Sequence, residues 1–314
     1  CGTDLGLIRT KAVPENDEFR VSGQKIFITA GEHDLSDNII HLVLAKLPDA
    51  PPGVKGISLF LIPKILVNDD GSLGDRNGVT CVSIEEKMGV HGSPTCVLSF
   101  DNSVGYLVGE PHKGLEAMFS MMNNERIAVG MQGLGVAEIS YQNALLYAKD
   151  RLQGRDLKGA KKPSEEADPL LVHPDIRRML LRAKALIDSS RMLSAWTALA
   201  IDKSVKDPDA KVRKANHDLV ELMTPIIKSI LTDYGVEISS EMLQIFGGHG
   251  YIREYGMEQF YRDARIAPIW EGTNGIQAMD LAGRKMPQGM GRLLRRFFHP
   301  VSYTHLRAHE THEH

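Results

Sequence analysis

The stretch Lys113-Gly114-Leu115-Glu116-Ala117-Met118-Phe119-Ser120-Met121-Met122 decides the fold, because the hydrophobic period of the chain changes there. Its apolar residues are spaced i, i+3, i+4 and i+7, as on one face of an α-helix: Leu115, Met118, Phe119 and Met122. The stripe continues to Leu146. The sequence therefore predicts one kind of structure before Lys113 and another after it.

Upstream of this stretch the sequence is typical of β-strands. Short runs rich in β-branched residues alternate with Gly, Pro and Asn, which favour turns. Two runs, Phe19–Val21 and Ile26–Thr29, flank Ser22-Gly23-Gln24-Lys25 and predict a hairpin. Further strands are predicted at residues 39–46, 57–62, 79–84 and 96–100. Residues 1–110 thus predict an antiparallel sheet or small barrel.

Downstream the pattern is helical. Two more amphipathic helices are predicted at residues 174–204 and 209–246, after a polar loop at residues 156–174. The first helix contains Gly130, Gly133 and Gly135, each of which costs about 1 kcal/mol relative to Ala, so close helix packing is expected in compensation. Short connections predict an antiparallel bundle over residues 111–290 and an α+β chain. Residues 291–300 are interpreted as the start of a C-terminal extension.

Both ends of the sequence carry predictions. The chain starts at Cys1 with no methionine and is interpreted as truncated at its N-terminus. From Val301 it reads like a translated sequencing adapter, so residues 301–314 are predicted to be a non-native tail. An alternative interpretation, which we do not adopt, is that four histidines in that tail form a metal patch: His305, His309, His312 and His314. No metal site is predicted.

Composition excludes some classes of partner. The 37 basic and 40 acidic residues give a formal charge of −3, so neither nucleic acid nor an anionic membrane is an expected partner. Three cysteines without a CxxC pair, together with 13 methionines, favour a reducing compartment, and we predict a cytoplasmic protein. No apolar run approaches the roughly 20 residues that span a bilayer.

The candidate catalytic segment is Ile269-Trp270-Glu271-Gly272-Thr273-Asn274-Gly275. A single carboxylate among small residues suits proton abstraction beside a carbonyl group, with Glu271 as the base. The Thr273 hydroxyl and backbone N–H groups around Gly275, at the start of a predicted helix, are suited to a cofactor phosphate or a polarised carbonyl oxygen. The alternative is that Glu271 and Thr273 only cap this helix.

A second segment, Gln244-Ile245-Phe246-Gly247-Gly248-His249-Gly250-Tyr251, ends a long helical pattern with three glycines in four residues. Taken alone it is a helix stop. The glycines of Gly133-Leu134-Gly135 do not indicate a dinucleotide fold, because no strand precedes them.

Together with Arg151-Leu152-Gln153-Gly154, these two segments resemble the acyl-CoA dehydrogenase family. Its members are flavoproteins that remove the α and β hydrogens of an acyl-CoA thioester. Residues 88–95 and 283–286 look most similar to the 3-methylmercaptopropionyl-CoA type within that family. The resemblance extends from residue 1 to about residue 300. It implies a β-domain followed by a helical bundle, with a preceding helical domain that this sequence lacks.

The resemblance also implies the chemistry. Glu271 would take the α proton while the β hydrogen passes as hydride to N5 of FAD, which gives a trans-2-enoyl-CoA. The backbone N–H of Glu271 and a ribityl hydroxyl would hold the thioester oxygen. The acyl group is either a short thioether or an ordinary fatty acyl chain, and the electron acceptor is an electron-transfer flavoprotein.

Individual positions follow from the same resemblance. The FAD contacts are Phe27, Ile28, Thr29, Arg151, Gln153, His173, Gln244, Ile245, Phe246, Gly247 and Gly248, besides Thr273 and Gly275. The acyl-CoA contacts are Thr3, Asn123 and Arg126. In the family the arginine at the position of Arg151 meets the FAD pyrophosphate across a subunit interface, so a homodimer or homotetramer is expected. Asn123 replaces a frequent aspartate, which weakens the assignment at that position.

Structural alternatives exist for several of these residues. Arg151 would also suit a helix C-terminus, Arg126 a surface or paired charge, and Phe27 to Thr29 an ordinary alternating strand. Two alternative functions follow. One is an acyl-CoA oxidase, which passes electrons to oxygen, and the other is a non-catalytic acyl-CoA-binding or interaction protein.

Overall fold

The fold is described from a computed structural model that covers the backbone of residues 2–310 and the side chains of residues 2–299. Cys1, residues 311–314 and the four tail histidines proposed as a metal-patch alternative lie outside the described side chains. The chain forms two compact units, one up to Asn123 and one from Asn124 onward, which are taken in turn. We call them unit 1 and unit 2.

Unit 1 is a β-structure of eight strands in the described residues. They are β1 Lys11–Glu15, β2 Glu18–Thr29, β3 Ile40–Lys46, β4 Ile57–Pro63, β5 Ile65–Val67, β6 Leu73–Arg76, β7 Val79–Ile84 and β8 Thr95–Val108. The main sheet has the order β2-β1-β3-β4-β8-β7, and a further β2–β8 pairing closes five of these strands into a ring. All pairings are antiparallel except the short parallel contact of β1 with β3. The predicted β-domain is confirmed, and β5 and β6 form a small extra ribbon that the sequence pattern did not predict.

The predicted hairpin around Ser22–Lys25 is wrong. Residues 18–29 form one continuous strand, β2, which pairs with β8 on both sides of Gly23. Gly23 has φ +146° and lies so close to Thr10, the residue before β1, that a Cβ there would be 2.9 Å from the Thr10 Cα. The glycine therefore serves a register shift and a close backbone approach, not a turn. The actual hairpin joins β1 to β2, with Glu15 paired to Glu18.

The core of unit 1 is filled by the inward side of these strands. In β3 every second residue is buried, which is the alternation expected of a sheet with one covered face. The buried residues form one cluster: Ala12, Val21, Val43, Ala45, Phe60, Ile62, Val79, Cys96, Leu98 and Phe100. Cys81 and Cys96 are free thiols.

Unit 2 is built from α-helices, and the first of them begins in unit 1. The helices are α1 Gly114–Asp150, α2 Pro174–Lys206, α3 Ala210–Ile245, α4 Met257–Ala264, α5 Asn274–Asp280 and α6 Gln288–Glu310. Left-handed residues at 289–291 interrupt α6. A π-helical turn, Leu281–Lys285, and 3₁₀ turns at Leu170–Val172, Gly247–Tyr251 and Arg253–Tyr255 join the helices. The predicted helical bundle is confirmed, with the first three helices close to their predicted bounds.

Glycines allow α1 and α3 to pack closely. A Cβ on Gly133 would lie 2.3 Å from the Leu231 carbonyl oxygen, and one on Gly130 would lie 2.7 Å from the Ile227 side chain. Gly235 of α3 meets Gly133 in the same way. The expected compensation for glycine in α1 is therefore present at two of three positions, because a Cβ on Gly135 would meet nothing within 4 Å.

The long helices enclose the core of unit 2. Its centre includes Leu134 of α1, Ile187 of α2 and Leu231 of α3. Asp218 of α3 is buried and holds Arg292 and Arg296 of α6 by ion pairs. Within the described residues, no helix is long and apolar enough to cross a membrane, and no group of three potential metal ligands occurs.

Candidate active site

The Glu271 loop, which we define as residues 266–274, connects α4 to α5 in unit 2. Glu271 has φ +51° and Gly272 has φ +82°, so two consecutive residues are left-handed. Such a conformation is uncommon for a residue with a side chain, and it persists only where the surrounding structure holds it. The Asn274 N–H donates to the Pro268 carbonyl oxygen at 3.1 Å and closes the loop.

Thr273 is the N-cap of α5, since its hydroxyl oxygen accepts from the Ile276 N–H at 3.4 Å. This is the capping role foreseen as the alternative. Glu271 lies two residues before the cap. Gly275 is exposed in the first turn of α5, which has only seven residues and therefore a weak dipole.

Arg126, a predicted substrate contact, is a buried charge at the Glu271 loop. Its side chain is 4% exposed, and its guanidinium lies 3.6 Å from the Asp280 carboxylate of α5. Asp280 also pairs with Arg284 at 2.7 Å. The paired-charge alternative is therefore realised, and the pair lies beside the predicted base.

Gln277 of α5 is a buried hydrogen-bond partner of the loop. It is fully buried and donates from Nε2 to the Gly272 carbonyl oxygen at 3.1 Å. A Cβ on Gly272 would lie 2.6 Å from that Nε2 and 3.6 Å from an Arg126 guanidinium nitrogen. Gly272 is required both by its positive φ and by this close approach.

Lys228 of α3 is a buried cation below the same loop. It is fully buried, and its ammonium group donates to Asn274 Oδ1 at 2.9 Å. Burial lowers the pKa of Lys228 to about 8, opposed by the nearby carboxylates of Asp233 and Glu271. Asn274 Nδ2 in turn donates to Asp233 Oδ1 at 2.7 Å and to Thr232 Oγ1 at 3.0 Å.

These surroundings set the acidity of Glu271. The residue is exposed, yet partial desolvation of its carboxyl group raises the pKa of Glu271 above its usual range, and the Glu125 charge raises it further. The cations Arg126 and Lys228 oppose the increase. A carboxylate with a raised pKa is a stronger base than an ordinary surface glutamate.

A second candidate site in unit 2 is a pocket of about 400 Å³ at the C-terminal end of α3. We call it the glycine pocket. Seven predicted FAD contacts line it: Arg151, Gln153, Gln244, Ile245, Phe246, Gly247 and Gly248. His173 lies next to it, because its Nε2 is 2.7 Å from the Gln153 carbonyl oxygen.

Stacked rings support the glycine pocket. Tyr147 stacks on Phe246 with ring centroids 4.0 Å apart, and its hydroxyl is 2.7 Å from His249 Nδ1. His249 stacks on Tyr255 at 4.5 Å. Rings in contact over whole faces fix the backbone that follows them, which here is the Gly247-Gly248 segment.

The backbone at Gly247 and Gly248 faces open space. A Cβ on either residue would meet nothing within 4 Å, and Gly247 has φ +59°. Arg151 follows α1 directly, is exposed, and contacts Gln153 Oε1 at 3.4 Å. The pocket therefore offers an anion one guanidinium together with peptide backbone. A guanidinium beside exposed peptide backbone is suited to a phosphate group.

In unit 1, Phe27, Ile28 and Thr29 end β2 at a bulge. Ile26 and Phe27 together oppose the single residue Val97 of β8, and Phe27 has φ +60°. Phe27 is 68% exposed, and Thr29 is exposed as well. An ordinary alternating strand would not expose both Ile26 and Phe27. The bulge therefore leaves the Phe27 ring exposed at the end of β2.

The two remaining predicted residues are both exposed. Thr3 lies in the turn before the 3₁₀ turn Leu5–Leu7. Asn123 lies on α1, three residues before Arg126. Both positions belong to unit 1, whereas Arg126 belongs to unit 2.

Sequence reasoning missed the side chains that support the Glu271 loop, which are the buried Lys228, Gln277 and Asp280 and the half-buried Asn274. A signal for Lys228 exists, because it interrupts the apolar run Ile226-Ile227-Lys228-Ser229-Ile230-Leu231. A lysine is seldom fully buried unless it has a partner, so a lysine in such a run deserves scrutiny. Tyr147 of the glycine pocket was also missed, since nothing local distinguishes it on α1.

Comparison with known proteins finds a matching family model for each unit. The family described as "Acyl-CoA dehydrogenase, middle domain" matches residues 1–103, and "Acyl-CoA dehydrogenase, C-terminal domain" matches residues 112–286. A 3-methylmercaptopropionyl-CoA dehydrogenase from Ruegeria pomeroyi is 49% identical over 305 residues, which are 97% of this chain and 51% of that protein. A butyryl-CoA dehydrogenase from Syntrophomonas wolfei is 40% identical over 93% of this chain and 49% of its own length.

A solved structure supports the fold. That of Caenorhabditis elegans ACDH-11 in complex with C11-CoA matches with a TM-score of 0.82 at 24% identity, over 96% of this chain and 48% of that chain. At this identity the likeness concerns the fold alone. The chain spans about half the length of the curated relatives named above.

Proposed function

The chain belongs to the acyl-CoA dehydrogenase family, and from this premise we propose that it carries the catalytic base and much of the FAD site of an acyl-CoA dehydrogenase. The proposed reaction is α,β-dehydrogenation of an acyl-CoA thioester to the trans-2-enoyl-CoA. Glu271 is the proposed base, and FAD is the proposed cofactor.

The observation that carries this proposal is the environment of Glu271. Its carboxyl group has a raised pKa in a loop whose backbone is held left-handed. Buried Lys228 of α3 and Gln277 of α5 bond to the loop, and buried Arg126 of α1 lies beside Gly272. A surface cap needs none of this support. A base that must take a weakly acidic proton needs both a raised pKa and a fixed position.

Removal of the α proton builds negative charge on the thioester oxygen, so donors near that oxygen lower the barrier. We assign this role to the backbone N–H of Glu271, as the family resemblance implies. Arg126 is proposed to lie beside the pantetheine and thioester region of the substrate, as the family resemblance implies. Thr3 and Asn123 are proposed CoA contacts on the same basis.

For FAD, the residues of the glycine pocket are the proposed contacts of the ADP half, with Arg151 at the pyrophosphate and His173 beside Gln153. Phe27, Ile28 and Thr29 are proposed to contact the flavin ring, and Thr273 and Gly275 complete the proposed set. When bound, FAD supplies the acceptor for the hydride that leaves the β-carbon. The chain's own residues bind the nucleotide, orient the rings and move the α proton.

The substrate and partners are proposed from the relatives. The 49% identical relative is named for 3-methylmercaptopropionyl-CoA and the 40% identical one for butyryl-CoA, so we propose a short acyl-CoA, with the thioether acyl group first. An electron-transfer flavoprotein is the proposed acceptor, and a homodimer or homotetramer in the cytoplasm is the proposed state. Two free thiols are compatible with a reducing compartment.

The test is an anaerobic titration of the complete gene product, loaded with FAD, with 3-methylmercaptopropionyl-CoA, butyryl-CoA and longer acyl-CoA esters. Rapid bleaching of the flavin absorbance supports dehydrogenation and ranks the substrates. A protein that holds flavin but bleaches with none of them refutes the reaction. A protein that binds acyl-CoA but no flavin supports a non-catalytic binding protein, and rapid reoxidation by oxygen supports an oxidase.

A further inference from the structure

We propose that Lys228 is a positioning residue for the base: its buried ammonium group holds the Glu271 loop through Asn274 and places a positive charge near Glu271. This inference rests on the function proposed above. It assigns a role to a residue that neither the family resemblance nor the sequence pattern had marked.

The first step is the burial of Lys228. Its side chain is fully buried in the middle of α3, between the buried polar residues Thr224 and Thr232 one turn away on either side. A buried ammonium group is strongly disfavoured unless it has partners. A hydrophobic residue would pack at this position without that penalty, so the presence of lysine calls for a role that only a cation with donors can fill.

The second step is the contact with the loop. The Lys228 ammonium donates to Asn274 Oδ1 at 2.9 Å, and the Asn274 N–H closes the loop onto Pro268 at 3.1 Å. Asn274 Nδ2 is held by Asp233 and by Thr232 of the same helix. Asn274 is only three residues from Glu271, so its hydrogen bonds to α3 hold the backbone next to the base.

The third step is electrostatic. The charged groups that act on Glu271 come from two elements: Glu125 and Arg126 from α1, and Lys228 from α3. The Lys228 charge lowers the pKa of Glu271, whereas Glu125 raises it. Asp233 keeps the ammonium protonated against the effect of burial. Loss of the Lys228 charge alone therefore moves the pKa of Glu271 upward.

The experiment measures the rate of flavin reduction by butyryl-CoA against pH in the complete, FAD-loaded protein. The base works in its ionised form, so the rate rises with pH through the pKa of Glu271. We expect Lys228→Met and Lys228→Gln to move this acidic limb to higher pH, with a rate about two- to tenfold lower on its acid side, because one pKa unit is a tenfold change in ionised carboxylate. Lys228→Arg keeps the charge and should leave the limb near that of the wild type.

Two controls separate positioning from a general structural effect. Lys206→Met removes a lysine of α2 that pairs with Asp202 at the surface, at 2.8 Å, and should leave the limb unchanged. The flavin absorbance spectrum and the unfolding temperature report whether each variant binds FAD and folds. If Lys228→Met does not fold, Lys228→Gln and Lys228→Arg, which both retain a donor for Asn274, decide the matter between them.

The failure of this inference is distinct from a failure of the proposed function. If Glu271→Gln reduces its flavin like the wild type, the base is elsewhere and the proposed function falls. If Glu271→Gln is inactive but neutral substitution of Lys228 leaves the acidic limb in place, the base stands and the role of Lys228 is overturned. Equal shifts for Lys228→Arg and Lys228→Gln would also overturn it, because the charge would then be irrelevant.

Discussion

The Glu271 loop and the glycine pocket belong to the same helical unit, but their supports differ in kind. Hydrogen bonds from the buried Lys228 and Gln277 side chains hold the loop, and the Arg126 guanidinium lies beside Gly272. Stacked rings hold the pocket, through Tyr147, Phe246 and His249. α3 contributes to both, with Lys228 and Gln244 separated by 16 residues, which is about 24 Å of helix.

The difference follows from what each site is proposed to do. A base must change its charge during turnover, so its support has to set a pKa as well as a position. A cofactor pocket has to keep one shape, and apolar rings supply shape without shifting the charge of their neighbours. The comparison predicts that variants of the loop alter rate and pH dependence, whereas variants of the pocket alter FAD affinity.

The largest expected effect is that of Glu271→Gln. The variant should bind FAD and acyl-CoA like the wild type but reduce its flavin about 10²- to 10⁴-fold more slowly, as is typical when a general base is removed. Anaerobic stopped-flow measurement of flavin bleaching checks this. Because Glu271 has a raised pKa in the folded state, its ionised form opposes folding above pH 4.5, so the variant should be at least as stable as the wild type at pH 7. A slow reaction accompanied by lost FAD would instead make Glu271 part of the cofactor site.

The second-largest effect is expected for Arg151→Ala, and it should appear in the affinity for FAD alone. Arg151→Ala should weaken FAD binding about 10- to 100-fold, since a hydrogen bond to a charged group contributes about 1.5–3 kcal/mol. Isothermal titration of the apoprotein with FAD at two salt concentrations measures it, and the variant should depend less on salt. Arg191→Ala is the matched control, because Arg191 is an exposed arginine of α2 paired with Glu138. If Arg151 only ends α1, the variant loses at most about 1 kcal/mol of unfolding free energy and keeps its FAD affinity.

A matched pair of glycines tests whether the pocket works by shape. Gly248→Ala should raise the Kd for FAD about tenfold without loss of stability, because the new methyl group would occupy open pocket space and Gly248 has no positive φ. Gly247→Ala should also lower the free energy of unfolding by about 1–2 kcal/mol, since its φ of +59° disfavours a side chain. FAD titration and urea unfolding of both variants check the contrast. Equal stability losses for the two variants would contradict the assignment of strain to Gly247.

How much of this was predictable depends on whether the feature is local. The helices and most strands were predictable because their signals lie in neighbouring residues, and the roles of Glu271 and the glycine segment stay predictions drawn from the family resemblance. The continuity of β2 through Gly23 was not, because a glycine that permits close approach to Thr10 has the same local sequence as a turn glycine. Lys228 left one local signal, a lysine in an apolar run, but its burial depends on how α1 packs on α3 at Gly130 and Gly133.

The smallest expected effect separates the exposed charge of Glu125 from the buried charge of Lys228, which both act on Glu271. Glu125 raises the pKa of Glu271, so Glu125→Gln should lower that pKa and move the acidic limb of the flavin-reduction rate to lower pH, in the direction opposite to a neutral substitution of Lys228. A rate gain of about two- to fivefold on the acid side is expected, because Glu125 is exposed and solvent screens its charge. The charges that shift the pKa of Glu271 are Glu125, Arg126 and Lys228, so Glu116→Gln, which removes another acid of α1 nine residues from Glu125, is the control. Added salt should diminish the effect of Glu125→Gln and leave that of the buried Lys228 largely intact. If salt abolished both effects equally, surface charge would set the pKa of Glu271. The contrast between the charge-supported loop and the ring-supported pocket would then not depend on buried groups.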